Sequence, residues 1–170
     1  HYPLRRQRQM CIRDRARAGW QVRVLDQAPI PNPRGASVDQ HRLIRHAYGA
    51  QAGYMRMIDP AYQAWEMIWA ALGARHYVET GVLALADHPG GWLAESRAAL
   101  RADGHGCADL AAGDITARFP MLSGQGIADA FTLQRGGVLF ADRIVAGLAA
   151  HLAAQGVVFE LSLIHISEPT

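Results

Sequence analysis

Several residue types and patterns that would decide the class of this protein are missing from its sequence. It contains no lysine, so every permanently positive side chain is an arginine. It has only 2 cysteines and no CxxC pair, and no histidine spacing is typical of a zinc site, so we predict no metal site. No apolar run is long enough to span a bilayer, and we predict no membrane association. With 50% hydrophobic and 19% charged residues, the sequence still predicts a folded globular protein rather than a disordered one.

The two ends of the chain differ in character from the rest. Within residues 1–14, residues 5–14 resemble the in-frame translation of a transposon-end adapter used in DNA sequencing libraries, and residues 161–170 resemble the opposite-strand translation of its partner adapter. We therefore expect neither end to be native, and we expect residues 15–160 to be an internal piece of a longer protein. Without the two ends the positive and negative charges balance, although the whole chain has a net charge of +2. The arginine-rich start thus gives no reason to expect a nucleic-acid partner.

Cysteine usage indicates the compartment. Cys11 lies in the first adapter-like end, which leaves Cys107 as the single native cysteine. One cysteine permits no internal disulfide, so nothing argues for secretion, and Cys107 is better explained as a small, partly buried apolar residue than as a nucleophile. A cytoplasmic location is the default expectation.

The first native residues are typical of half a βαβ unit. Residues 15–19 read as a helix tail closed by Gly19, residues 21–25 as a short strand, and Asp26 follows at the carboxyl end of that strand. In dinucleotide-binding folds, an acid at this place binds the adenosine ribose. No GxGxxG fingerprint is present, however, and an aspartate after a strand is as often a turn former or a cap.

Two arginines follow a loop rich in proline. Ser37 or Asp39 can cap a helix after that loop, and a helix would place Arg42 and Arg45 one turn apart on the same face. Paired guanidinium groups on one face predict a site for an anion, such as a cofactor phosphate or a substrate carboxylate. The alternative is a solvated helix face with ordinary surface arginines.

The remaining pattern alternates helices and strands. Apolar spacing predicts helices over residues 59–72 and 91–102 and a short capped helix over residues 113–119. In the first of these, Trp65 and Trp69 are expected in the core rather than beside a bound ligand. Strands are predicted over residues 76–80, 82–86 and 130–134, and Gly136-Gly137 is predicted to form a turn. A helix capped by Asp142 and ended by Gly156 then leads into a strand from Val157.

One specific segment and four weaker features resemble a known enzyme family. The specific segment is RLIRHAYG, residues 42–49. The weaker features are the strand ending in Asp26, Thr80-Gly81-Val82-Leu83, Arg118-Phe119-Pro120 and Gly137-Val138-Leu139-Phe140. In this order they resemble the monomeric sarcosine oxidase branch of the D-amino-acid-oxidase-like (DAO) flavoproteins, and the likeness covers nearly all of residues 19–160.

The resemblance implies an α/β fold with α+β character. A Rossmann-like FAD-binding domain would be interleaved with a substrate-binding domain built on an antiparallel-rich sheet. The implied bounds are a partial FAD-binding domain over residues 15–58, a partial substrate-binding domain over residues 59–136, and a return to the FAD-binding domain over residues 137–160.

The same resemblance implies roles for individual residues. FAD would be bound by Asp26 at its ribose, with the adjacent Gln27, by Ser37 in the loop, and by Arg42 against the flavin ring. Arg45 would bind the substrate carboxylate, and Arg42 and Arg45 would be the catalytic residues. The family often has histidine at the positions of Ser37 and Val38, so the substrate range or the flavin environment is expected to differ here.

The implied reaction is oxidation of the C–N bond of a small amine or amino acid, of the sarcosine (N-methyl) or D-amino-acid type. Hydride would pass to the flavin, and O2 would be reduced to H2O2. Two alternatives stay open: another FAD- or NAD(P)-dependent oxidoreductase on the same fold, or an inactive truncated translation product. The sequence does not decide between them.

Overall fold

A computed structural model of the chain describes residues 12–35, 37 and 39–161. Helices and strands alternate along it. In chain order they are α1 (residues 12–17), β1 (Arg23–Asp26), β2 (Arg42–Arg45), α2 (Ala52–Arg56), α3 (Ile58–Leu72), β3 (Tyr77–Glu79), β4 (Val82–Ala86), α4 (Gly91–Ala102), β5 (Ala108–Asp109), α5 (Ala112–Arg118), β6 (Asp129–Leu133), β7 (Gly136–Leu139), α6 (Ala141–Ala154) and β8 (Val158–Leu161). Val38 and most of the adapter-like ends lie outside the described residues.

The chain divides into two compact units. The first comprises the described residues of His1–His41, Ala70–His76 and Phe140–Thr170, and the second comprises Arg42–Trp69 and Tyr77–Leu139. The predicted boundaries at residues 58 and 136 concern cofactor and substrate binding. This division does not test them, and they stay predictions.

The first unit contains a parallel strand pair. β1 and β8 run parallel, from Arg23 opposite Val158 to Asp26 opposite Leu161. The predicted helix tail is confirmed, because Gly19 has φ 81° and its amide bonds back to the carbonyl of Ala16 at 3.1 Å. The predicted strand ending in Asp26 is confirmed as well.

The helix α6 begins differently from the prediction. Asp142 was expected to cap it, but the helix starts at Ala141 with Phe140 as N-cap, and no side chain bonds to the free amides there. Asp142 lies in the first turn instead, where a negative charge suits the positive end of the helix dipole.

The second unit is built on antiparallel sheets. One sheet has the order β2-β7-β3 and the other β4-β6-β5, and every strand pair in both is antiparallel. The predicted antiparallel-rich region is therefore present. Its core combines the inner face of the second sheet with the buried side of α4; the buried members are Ala47, Met55, Ala84, Leu93, Leu100, Phe131 and Leu133. Trp69 is buried, as expected, and Trp65 stacks on it with 5.0 Å between ring centroids.

The predicted helix around the two arginines is wrong. Residues 42–45 form the strand β2, Ser37 lies in a turn, and the next helix among the described residues is α2, which begins at Ala52. Successive side chains of a strand point to opposite sides, so Arg42 and Arg45 cannot share a face. The physical reason is the pairing with β7 from Arg42 opposite Leu139 to Arg45 opposite Gly136, which outweighs the local pattern.

The predicted turn at Gly136-Gly137 is also wrong, because both glycines begin the strand β7. The bend lies one step earlier, at residues 134–135. Gly137 sits between two neighbouring strands, and a Cβ there would overlap the carbonyl oxygen of Val78 and lie 2.9 Å from the Cα of Glu79. Glycine is required here for close approach rather than for turning.

Candidate functional site

The end of β2 presents Arg45 to two aromatic rings. The guanidinium carbon of Arg45 lies 4.9 Å from the ring centroid of Trp92 and 5.4 Å from that of Tyr48. Within the described part of the chain, no carboxylate lies within salt-bridge distance of Arg45. A permanent charge held against aromatic rings and without an acidic partner is suited to bind an anionic ligand.

The turn that carries Tyr48 is fixed against α4. The amide of Gly49 donates a hydrogen bond of 2.7 Å to Oγ of Ser96, which is fully buried. Gly49 has φ 59°, and a Cβ there would lie only 2.7 Å from Cδ1 of Trp92. Both its backbone conformation and its contact with Trp92 require glycine at this position. The first turns of α4 and the segment after β2 are therefore packed together closely.

A second polar cluster surrounds His46, the residue after Arg45. His46 is 2% exposed, and its Nε2 donates to Oδ1 of Asp59 at 3.1 Å. The same carboxylate oxygen accepts a hydrogen bond of 2.7 Å from Arg135. The ring of His105 lies 4.2 Å from that of His46, centroid to centroid, and Arg135 lies over the ring of Tyr62. The result is an ionic network beneath the end of β2.

Burial determines the charge of His46. Burial lowers the pKa of His46 below 6.5, and the opposing effect of its hydrogen bond to Asp59 does not reverse that shift. Burial raises the pKa of Asp59, but the hydrogen bond from His46 and the charge of Arg135 hold that pKa below its usual value. At neutral pH the network therefore consists of a neutral histidine, a carboxylate and a guanidinium.

The same cluster brings together atoms that could ligate a metal. Among the described residues, His46, Asp59 and His105 have potential ligand atoms within 4.8 Å of one another. Arg135 already occupies Oδ1 of Asp59, so a metal ion would meet a permanent positive charge. We therefore assign no metal to the cluster. Sequence reasoning missed it because its members are far apart in the chain and come from different elements.

The two carboxylate oxygens of Asp26, a predicted cofactor residue, differ in their hydrogen bonds among the described residues. Its Oδ1 accepts hydrogen bonds from Nδ2 of Asn32 at 2.6 Å and from the amide of Ala28 at 3.2 Å, as in a turn-forming aspartate. Within the described residues, no hydrogen bond to its Oδ2 is present. A carboxylate oxygen that is free at the end of a parallel strand fits the ribose hydroxyls of FAD.

The other predicted site residues are separated by the division of the chain. Gln27 and Ser37 are exposed and lie with Asp26 in the first unit. Arg42 and Arg45 lie in the second, where Arg42 is exposed at the start of β2 and Arg45 is partly buried at its end. The structure brings Arg45 together with Trp92 and Tyr48, two residues to which sequence reasoning gave no role. Nothing in the local pattern near residue 92 could have indicated that contact.

Comparison with known proteins decides the family. The model of the DAO family, described as FAD dependent oxidoreductase, matches residues 10–163. The chain belongs to this family. Within the DAO family, the chain is 31% identical over 138 residues to peroxisomal sarcosine oxidase of Mus musculus, a match that covers 79% of the chain and 34% of that relative. The predicted likeness to sarcosine oxidase and the expected cofactor of the family, FAD, are thereby confirmed.

Solved structures of DAO-like oxidases share the fold. The open form of NikD, an unusual amino acid oxidase essential for nikkomycin biosynthesis, superimposes with a TM-score of 0.77 at 22% identity, over 85% of this chain and 38% of NikD. Glycine oxidase from Bacillus cereus gives a TM-score of 0.65 at 20% identity, over 89% of this chain and 42% of that enzyme. The predicted fold class is confirmed. The chain spans well under half the length of these proteins.

No helix among the described residues is long and apolar enough to cross a membrane.

Proposed function

We propose that this chain is part of an FAD-dependent oxidase that oxidises the C–N bond of a small amine or amino acid, of the sarcosine or D-amino-acid type. Electrons would pass to O2 and give H2O2. The observation that carries the proposal is the state of Arg45: a guanidinium held against two rings, with no carboxylate partner among the described residues. A DAO enzyme acting on amino acids needs such a group for the substrate carboxylate.

The role of Arg45 follows from its chemistry. Its planar fork can donate two parallel hydrogen bonds to one carboxylate, which fixes both the position and the direction of the substrate. Arg45 is partly buried beside these rings, and a lower exposure to water would strengthen that interaction. Holding the carboxylate places the neighbouring carbon and nitrogen at a fixed distance from the protein, and this positioning lowers the entropy cost of reaction.

The cofactor residues are proposed on the resemblance and on the open oxygen of Asp26. Asp26 would accept a hydrogen bond from the ribose, and Gln27 and Ser37 would lie near the cofactor. Arg42 would place a fixed positive charge at the flavin, where such a charge favours negative charge during reduction. When bound, FAD supplies the acceptor for the hydride.

The test is substitution of Arg45 in the full-length flavoenzyme. Arg45→Ala should raise KM for sarcosine or a D-amino acid about 10- to 100-fold, because a hydrogen bond between charged groups contributes roughly 1.5–3 kcal/mol. Arg45→Lys keeps the charge but loses the planar fork of the guanidinium. Its KM should therefore lie between that of the unchanged enzyme and that of Arg45→Ala. Arg56→Ala, a change at an exposed arginine in α2, is the matched control. A KM for Arg45→Ala equal to that of the control would refute the carboxylate role.

The predicted location is still open. We propose a cytoplasmic location from the single native cysteine, whereas the name of the mouse relative places that protein in the peroxisome. Imaging the full-length protein in its own cell would decide between the two.

A further inference from the structure

We infer that Trp92 is a positioning residue that holds the Arg45 guanidinium ready for a substrate carboxylate and so determines how strongly the site selects carboxylate-bearing amines. The inference rests on the proposed function of Arg45. It concerns the second residue of α4, a helix that apolar spacing predicts but to which the sequence analysis gave no functional role.

Trp92 is not one of the residues through which α4 packs into the core. The helix packs through Leu93, Ser96 and Leu100, which are 4%, 0% and 0% exposed. Trp92 itself is 41% exposed. An indole that remains this exposed contributes less to the core than its neighbours, so its contact with Arg45 calls for a separate explanation.

The two rings flank Arg45. Its guanidinium carbon lies over both rings, nearer to Trp92 at 4.9 Å than to Tyr48 at 5.4 Å. Rings beside a guanidinium limit its orientations but leave N–H groups at its edge free to donate in plane. A carboxylate would therefore meet a receptor that is already oriented, which reduces the ordering cost of binding.

The position of Trp92 is itself fixed by its packing. Its Cδ1 leaves no room for a side chain at residue 49, and the amide of Gly49 is bonded to the buried Ser96 of the same helix. Tyr48 precedes Gly49 in the chain, so both rings are tied to one packed turn.

The experiment compares three variants of the full-length flavoenzyme. Trp92→Leu removes the aromatic face and keeps an apolar side chain, and Trp92→Phe keeps a ring. Trp20→Leu is the control, at an exposed tryptophan that makes no cation–π contact with any arginine that the structure describes. The measurements are the Kd of acetate from the change in flavin absorbance, and KM and kcat for sarcosine. Trp92→Leu should weaken acetate binding and raise KM about 3- to 10-fold, with kcat within about two-fold of the unchanged enzyme. Trp92→Phe should restore most of the loss.

A double-mutant cycle separates positioning from a structural effect. In an Arg45→Ala background, Trp92→Leu should have no further effect on the Kd of acetate, because there is no guanidinium left to hold. An equal loss in both backgrounds, or no loss in either, would overturn the inference. If Arg45→Ala weakens acetate binding and Trp92→Leu does not, only the inference fails. If Arg45→Ala has no effect, or the unchanged enzyme does not bind acetate, the proposed function fails with it.

Discussion

Arg45 and His46 are neighbours in the chain, but their side chains lie in different electrostatic surroundings. Arg45 lies against two neutral rings, whereas His46 donates to a carboxylate that is shared with Arg135. The alternation of side chains at the end of β2 separates the two groups. Arg45 therefore keeps its permanent charge beside the rings, where we propose that a substrate carboxylate binds. His46 joins the end of the strand to α3 without carrying charge at neutral pH.

The lowered pKa of His46 predicts how stability depends on pH. In the unfolded chain the pKa of histidine is about 6.5, and in the folded protein that of His46 is lower. Between these two pKa values the unfolded state binds more protons than the folded state. The stability that comes from keeping His46 neutral is therefore complete above about pH 6.5, and it is lost as the pH falls toward the folded pKa. We expect the free energy of unfolding of the full-length flavoprotein to decrease in this window by at most about 1.4 kcal/mol per pH unit from this residue.

The variant His46→Gln tests that expectation, because its amide can still donate to Asp59 but does not titrate. Urea unfolding at several values between pH 5 and pH 8 should show a smaller pH dependence for His46→Gln than for the unchanged protein. His41→Gln, a change at an exposed histidine, is the control for the loss of an imidazole. If the free energy of unfolding depends on pH equally in His46→Gln and in the unchanged protein, the lowered pKa of His46 is not the cause of that dependence.

Among the elements, β7 sets the spacing of its sheet. It is the central strand, with β2 on one side and β3 on the other. Gly137 has no room for a Cβ because the backbone of β3 approaches closely there. A backbone neighbour cannot rotate away as a side chain can, so a larger residue would push the two strands apart.

Gly137→Ala should therefore destabilise the protein by about 1–3 kcal/mol, the usual cost of overpacking. Gly53→Ala in α2 is the control, because a Cβ there meets nothing within 4 Å and alanine favours the helix. Thermal unfolding of both variants, followed by circular dichroism, gives the comparison. A melting temperature for Gly137→Ala at or above that of Gly53→Ala would contradict the predicted overpacking, because it would mean that β3 and β7 move apart at no cost in stability.

The elements also show what the sequence could and could not predict. The helix α4 has both of its predicted bounds, and α3 begins one residue earlier than predicted, because their apolar spacing is a local property. The strands β2 and β7 were missed as strands since each depends on the other, and their residues are far apart in the sequence. For the same reason Arg45 was found by its residue type, whereas its contact with Trp92 was not.

Over the whole molecule, the two units differ in how their strands are supported. In the second unit β6 and β7 each have a neighbour on both sides. In the first unit the described residues form only the pair β1-β8. Apolar side chains of that pair stay open to solvent: Leu25 is 54%, Val158 45% and Leu161 68% exposed. Two-stranded sheets are marginally stable unless another layer packs on them.

We therefore expect the two units of the 170-residue chain to differ in native-state hydrogen exchange. Amides in β6 and β7 bond within sheets that enclose buried side chains, so their exchange requires opening of that core. Amides in β1 and β8 can exchange when a single strand pair separates, and we expect them to do so at least about 100-fold faster. Mass spectrometry of peptides from residues 129–139 and 158–161 measures the exchange rates of the β6–β7 amides and of the β8 amides in one sample. Equal protection would mean that the chain opens as one cooperative unit, because the slowest and fastest amides would then share the same unfolding step.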